Sequence, residues 1–213
     1  MTKKVIGLST MVVSLLIIVS AAKTARAQDL KEKYRTVNRT VSSDKKYGTI
    51  HLNQAKGVGI AWIKGKTFVK GVIEFDVKGK DEFQGSFVGI AFHGLNDTTY
   101  EAVYFRPFNF RSTDPVRKAH AVQYITSPKY DWPKLRTDFP NKYEKPVVPE
   151  PDPNQWFHVK IVVSEARISV YVNGNNTAAL ELESLVDTGG KMLGYWVGTG
   201  SAGSWKNLKI NAK

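Results

Sequence analysis

Cysteine is absent from this 213-residue chain. That excludes a disulfide framework and a lipoprotein anchor, so an exported chain of this composition must hold together through its core. Histidine is sparse, and His93, His120 and His158 show neither metal-ligand spacing nor a Ser-His-Asp order. Beyond the first residues there is no helical period of useful length and no internal repeat. Runs of like charge are missing too: Lys45, Lys64, Lys78, Lys129, Lys160 and Lys209 are dispersed. The formal charge of +12 therefore reads as solubility, and no nucleic acid partner is expected.

What is present begins with an address. Lys3 and Lys4 form a charged start, Val5–Ala22 is an apolar or small-residue run, and Ala25-Arg26-Ala27 is an A-x-A cleavage site. Residues 1–27 read as a signal peptide, with a periplasmic or secreted mature chain starting near Gln28. The run is long enough to approach a membrane span, which is the competing reading. The small residues and A-x-A that follow it favour cleavage, and no later stretch could span a bilayer. Lys3, Lys4, Lys23 and Arg26 account for four of the charges, leaving +8 on the mature chain. Residues 28–46 are polar and highly charged and read as an irregular arm. Residues 47–213 suffice for one all-β domain.

Within that domain short alternating runs recur between Gly, Asn, Asp and Lys turns. They are 47–52, 58–63, 67–77, 84–92, 100–106, 119–125, 156–163, 167–172, 178–182, 191–197 and 205–210. Asn173-Gly174 is a strong hairpin signal. The run Tyr100–Arg106 is the most informative. Glu101, Val103 and Phe105 share one face, directed at a core, and Tyr100, Ala102, Tyr104 and Arg106 share the other. Pro107 then ends ladder pairing. A half-buried strand usually spends its outer face on Thr, Lys and Ser, so two aromatic rings and an arginine there point to a ligand. The neighbouring run places Val88, Ile90 and Phe92 inward, and Phe87, Gly89, Ala91 and His93 outward. Residues 126–154 form a long irregular stretch rich in proline and aromatics, among them Tyr130, Trp132, Phe139 and Tyr143. Such a loop is usually functional or disordered, and its aromatics argue against disorder.

Several of these runs resemble a known family. They are Gly71-Val-Ile-Glu-Phe-Asp76, Phe87-Val-Gly-Ile-Ala-Phe92, Tyr100-Glu-Ala-Val-Tyr-Phe-Arg-Pro107, Trp156-Phe-His-Val-Lys-Ile-Val-Val163, Val170-Tyr-Val-Asn-Gly174 and Gly194-Tyr-Trp-Val-Gly198. Over about 47–210 the chain resembles the concanavalin A-like lectin/glucanase superfamily. It is most similar to laminin G-like domains of exported bacterial proteins, including those grouped with 3-keto-disaccharide hydrolase domains. The resemblance implies a jelly-roll β-sandwich of two curved antiparallel sheets, with ligands often held on the concave one. This fold hosts lectins, hydrolases and adhesive modules, so it does not name an activity.

Mapped onto that picture, the outward faces bring Phe87, His93, Tyr104, Arg106 and Gln123 to one surface, with Gly89 and Ala91 as an open floor. Tyr130, Asp131, Trp132 and Arg136 of the long loop overhang it. Flat rings with planar hydrogen-bonding groups suit a saccharide. On this view Arg106→Ala should abolish ligand binding and leave folding intact. Relatives of the laminarinase type use Glu-x-Asp-x-x-Glu; here Glu74-Phe-Asp76-Val-Lys-Gly79 keeps the first two acids and not the third. Glu101, on the inward face, needs a partner if ionised and is the other candidate acid, with His93 beside the groove as its companion. Calcium occurs in many relatives, and Asp97, Asp76 and Asn207 are candidate oxygen ligands, but there is no Asp-x-Asp-x-Asp run. The residues assign no cofactor, and calcium stands as the candidate. The leading reading is a binding module for an oligosaccharide or polysaccharide. A glycoside hydrolase-like enzyme comes second, and a module that binds another protein third.

Overall fold

The computed structural model describes residues 28–213; the signal peptide expected over 1–27 lies outside the described residues. Strands run in chain order as β1 Tyr34–Val37, β2 Val41–Asp44, β3 Thr49–Leu52, β4 Gly59–Thr67, β5 Gly71–Lys78, β6 Val88–Gly94 and β7 Tyr100–Phe105. They continue as β8 Val122–Ser127, β9 Glu144–Lys145, β10 Phe157–Val163, β11 Ile168–Val172, β12 Leu180–Leu182, β13 Met192–Val197 and β14 Gly203–Ala212. Two seven-stranded sheets result, ordered β1-β4-β13-β6-β7-β8-β9 and β12-β11-β10-β5-β14-β3-β2. Every pairing is antiparallel. No helix among the described residues is long and apolar enough to cross a membrane.

Alternation builds the second sheet directly. In β5, Ile73, Phe75 and Val77 are buried while Glu74 and Asp76 stay partly exposed, and β10 repeats the pattern with Phe157, Val159 and Ile161. Their inward rings close the sandwich. Phe105 meets Phe157 edge-on at 5.1 Å, and Tyr195 stacks on Trp205 at 5.0 Å. Asn173 and Gly174 have φ of +52° and +71°, the backbone that a two-residue hairpin turn demands.

Three local features depart from the sequence reading. The arm is not irregular: β1 and β2 each take the edge of one sheet, because Val37 and Val41 supply enough apolar surface to pack on the core. The long loop carries a helix, Trp132–Asp138, and the stretch after β7 carries another, Pro115–Ala119. The outer face of the first sheet is filled rather than open. Tyr104 and Trp196 sit in register on either side of Gly89, yet their rings stack 4.7 Å apart. Strands two apart are separated by roughly 9.5 Å, so both rings must lean over Gly89. A Cβ there would come within 2.1 Å of the Val103 carbonyl oxygen. The expected floor over Gly89 is closed by aromatic side chains.

Candidate functional site

An open cleft of about 440 Å³ lies at one end of the first sheet, beside the row Val197, Val88, Phe105 and Val122. Connections supply its walls: Phe83, Gln84 and Phe87 before β6, Arg106 to His120 after β7, the helix Trp132–Asp138, and Thr199 after β13. Local chemistry sets each of them. Pro107 stops β7 and opens a 3₁₀ turn over Pro107–Asn109. Asp114 caps the helix Pro115–Ala119 by accepting from the Val116 and Arg117 amides. Asp131 caps Trp132–Asp138 by accepting from the Lys134 amide at 3.2 Å, with Pro133 in the first turn. Buried Leu135 pins that helix to the core.

Arg106, 5% exposed, forms part of the cleft floor. It donates to the Tyr104 hydroxyl at 2.8 Å, the His120 carbonyl at 2.9 Å and Gln123 Oε1 at 3.4 Å. Its guanidinium lies over the Tyr104 and Phe87 rings, 4.9 and 5.7 Å from their centroids. Burial draws the Arg106 pKa below its ordinary value and pushes that of Tyr104 up to about 12. On the rim stand two exposed rings, Phe83 at 60% and Trp132 at 46%. Arg117 covers Phe83 at 4.4 Å, and Arg136 covers Trp132 at 4.8 Å. Arg136 also forks onto buried Glu144 at 2.8 and 2.6 Å, and His120 Nε2 lies 3.2 Å from the same carboxylate. Burial, helped by Arg136 and Arg106, holds the His120 imidazole below its usual value despite Glu144. Gln84, Asn109 and Thr199 add neutral polar groups.

Of the residues expected to hold a ligand, Phe87, Arg106, Trp132 and Arg136 line this cleft. Tyr104 and Gln123 lie beneath it; Gln123 is fully buried and donates to the Tyr124 and Tyr143 carbonyls. Asp131 is occupied as a helix cap. Tyr130 bridges Thr126 and packs on Phe139 instead of facing the cleft. Phe83, Arg117 and His120 were not in the expected set. An aromatic residue in the polar turn 79–85 was the available signal for Phe83, whereas His120 lies at the end of the helix Pro115–Ala119, where strand alternation gives no signal.

Glu101 and His93 meet, but elsewhere. Glu101 pairs across β7 at the end opposite Arg106, five residues and roughly 16 Å along the strand. His93 takes φ of +49°, which turns its ring from the outer face toward Glu101, where Nδ1 lies 2.6 Å from Oε1. The Tyr124 hydroxyl and Ser184 donate to the other carboxylate oxygen at 2.6 and 3.1 Å, and His93 Nε2 donates to the Val69 carbonyl. His93 therefore belongs to a buried polar knot and not to a groove, correcting the placement expected from alternation.

Neither a protein-family model nor a curated protein sequence matches the chain. Solved structures do match its shape. A carbohydrate-binding module, CBM66 from Bacillus subtilis, superposes with a TM-score of 0.56 at 13% identity, over 83% of this chain and 93% of its own. The exoplasmic/lumenal domain of VIP36, bound to Ca²⁺ and Man3GlcNAc, matches at 0.53 and 11%, over 85% of this chain and 86% of its own. A glycoside hydrolase family 16 endo-glucanase from Bacteroides ovatus, in complex with G4G3G-2F-DNP, matches at 0.50 and 12%, over 81% and 85%.

The fold is the concanavalin A-like jelly roll. Within this jelly roll Glu74 and Asp76 stand on the second sheet, away from the cleft. Asp76 is bonded to His158 and Asn207 at 2.8 and 2.7 Å, and Glu74 is 3.8 Å from His158. Asp97 is held on the first sheet by Arg35 at 2.6 Å and Trp62 at 2.8 Å. The expected oxygen ligands are thus divided between the two sheets of the jelly roll. Among the described residues no group of three or more His, Asp or Glu could hold a metal ion.

Proposed function

We propose that this chain is an exported carbohydrate-binding jelly-roll domain whose saccharide sits in the Arg106 cleft. One observation carries the reading: the exposed rings of Phe83 and Trp132 flank a cleft with a guanidinium in its floor. Large exposed rings beside a cavity of this size match how small-molecule sites are built, and sugar rings stack on such platforms. Neighbours that share the fold include a carbohydrate-binding module and a domain holding Man3GlcNAc, which agrees with a saccharide here. The working unit would be residues 28–213, since β1 and β2 complete both sheets, with 1–27 acting as the export signal.

A hydrolase is the second reading, favoured by the endo-glucanase neighbour. Retaining hydrolysis needs two carboxyl groups about 5–5.5 Å apart. The cleft lining contains no carboxyl group, and nearby Glu144 is engaged by Arg136 and His120. A binding role therefore ranks first.

The test is a thermal-shift screen of the purified protein against an oligosaccharide panel, with and without calcium, followed by assay of any hit for product release. A ligand at 100 times its Kd stabilises the fold by about 2.7 kcal/mol. Trp132→Ala and Phe83→Ala should each abolish the shift while leaving the melting temperature of the free protein unchanged. A glycan that binds both variants as it binds the wild type would place the site elsewhere. Silence across the whole panel would overturn the reading in favour of a protein partner, and released product would move it to the hydrolase.

A further inference from the structure

The charge of the cleft carries the argument further, on the reading that a saccharide occupies it. Four basic side chains line it, Arg106, Arg117, Arg136 and His120, and no acidic one does. Arg136 is neutralised by Glu144. Arg106 and Arg117 make no ion pair among the described residues. Arg106 is bonded to neutral oxygens only, and Arg117 donates to the Phe108 carbonyl at 3.2 Å and to Asn109 Oδ1 at 3.4 Å. Arginines elsewhere are treated differently: Arg35 pairs with Asp97, Arg111 with Asp152 and Arg167 with Glu181. Arg39, also without an acid, directs Nη1 and Nη2 at four backbone carbonyls, of Asn38, Lys56, Gly57 and Gly198, while its Nε is buried without a partner.

A guanidinium withdrawn from water without a counter-ion is costly, and an anion at the cleft would offset that cost. The two arginines are also presented well. Each lies over an aromatic ring, Tyr104 for Arg106 and Phe83 for Arg117. Stacking of this kind occupies the face of the guanidinium and leaves its edge for hydrogen bonds. The Nη1 and Nη2 groups of Arg106 are taken up by His120, Tyr104 and Gln123, so Arg106 supplies charge to the floor. Arg117 Nη1 makes no hydrogen bond among the described residues and can donate to an anionic acceptor. We infer that the saccharide held here is acidic: a sugar bearing a carboxylate, as in a uronate, or a sulfate ester, bound through Arg106 and Arg117.

Calorimetric titration of the purified protein tests this with matched pairs. Trimers of galacturonate, mannuronate and glucuronate are each compared with their methyl esters, which keep ring and hydroxyls and lose the charge; a sulfated galactose trimer forms a separate arm. At least one acid should bind about tenfold or more tighter than its ester, and the gap should narrow as salt is raised. Arg117→Gln should remove most of that gap. Tighter binding of the sulfated trimer than of every uronate would assign the anion to sulfate. Equal affinity for acid and ester in every pair overturns the charge inference and leaves the saccharide site standing. A gap that persists in Arg117→Gln also overturns it. Failure of all acids, all esters and all neutral glycans brings down both readings together.

Discussion

Arg106 donates to the Tyr104 hydroxyl, the His120 carbonyl and Gln123 Oε1, in buried or part-buried surroundings, so its removal takes a donor from three acceptors. Arg106→Ala is expected to lower the unfolding free energy by about 1–3 kcal/mol as well as to abolish ligand binding, read by urea denaturation beside the binding assay. That revises the expectation of intact folding, which treated the outer face of β7 as solvent. Gly89 is the second sensitive position. A methyl group there meets the Val103 carbonyl oxygen at 2.1 Å and Tyr104 Cα at 2.6 Å, neither of which is a flexible chain end. Gly89→Ala should cost about 1–3 kcal/mol or more and shift the melting temperature down by several degrees. Alternation marked Gly89, Tyr104 and Arg106 as one face. That Trp196 would lean in from another strand to fill the space above Gly89 is a matter of ring volume and sheet order, which no local pattern contains.

The helix Trp132–Asp138 carries Trp132 to the rim, and its link to the sheet is the fork from Arg136 to Glu144 on the two-residue strand β9. Glu144 is 2% exposed, so Glu144→Gln leaves Arg136 without its carboxylate and should cost about 2 kcal/mol. It should also weaken ligand binding through misplacement of Trp132, seen as a change in tryptophan fluorescence at constant secondary-structure content by circular dichroism. A long strand with clean alternation such as β10 was legible within a residue; β5 was legible in its buried face and its end, but it starts at Gly71, four residues after the expected start of its run. β9 was not, because two residues have no period. The short helices were hidden for a related reason: each is a turn or two held by Asp-Pro or Asp-x-Pro caps and by tertiary contacts, with too few apolar positions to write a helical repeat. The arm failed differently. Its polar composition concealed edge strands, which need only one buried face.

Across the whole molecule, the cleft and the Glu101 knot occupy opposite ends of the first sheet, which makes them separable by experiment. Both ring nitrogens of His93 face oxygen atoms, of the Glu101 carboxyl group and the Val69 carbonyl, an arrangement that the charged imidazole satisfies with its two N–H groups. Burial alone would depress the His93 pKa, but the hydrogen bond and charge of Glu101 outweigh it and the pKa is raised. A raised folded value means that this stabilisation is fully present below the unfolded pKa, about 6.5, and is lost as pH climbs through the folded one. The melting temperature should therefore fall from mildly acid toward alkaline pH, and His93→Gln should flatten that fall. His120, lowered in the fold, has the opposite sign, so the comparison with His93→Gln isolates the knot. Saccharide binding in the cleft should be insensitive to His93→Gln at any pH where the variant is folded.

From its residues alone the chain declares an all-β sandwich, because period-two alternation against one core leaves little choice of register. It also declares the side of β7 on which Tyr104 and Arg106 lie, since successive side chains of a strand must point to opposite faces. Which of those groups meets solvent was decided by packing. Trp196 and Tyr104 close over Gly89, Gln123 is buried against Arg106 and the Tyr143 carbonyl, and segments distant in sequence carry Phe83, Arg117 and Trp132 to a common rim. Such contacts join segments that share no local period, so they arise only when the sheets are assembled in their order.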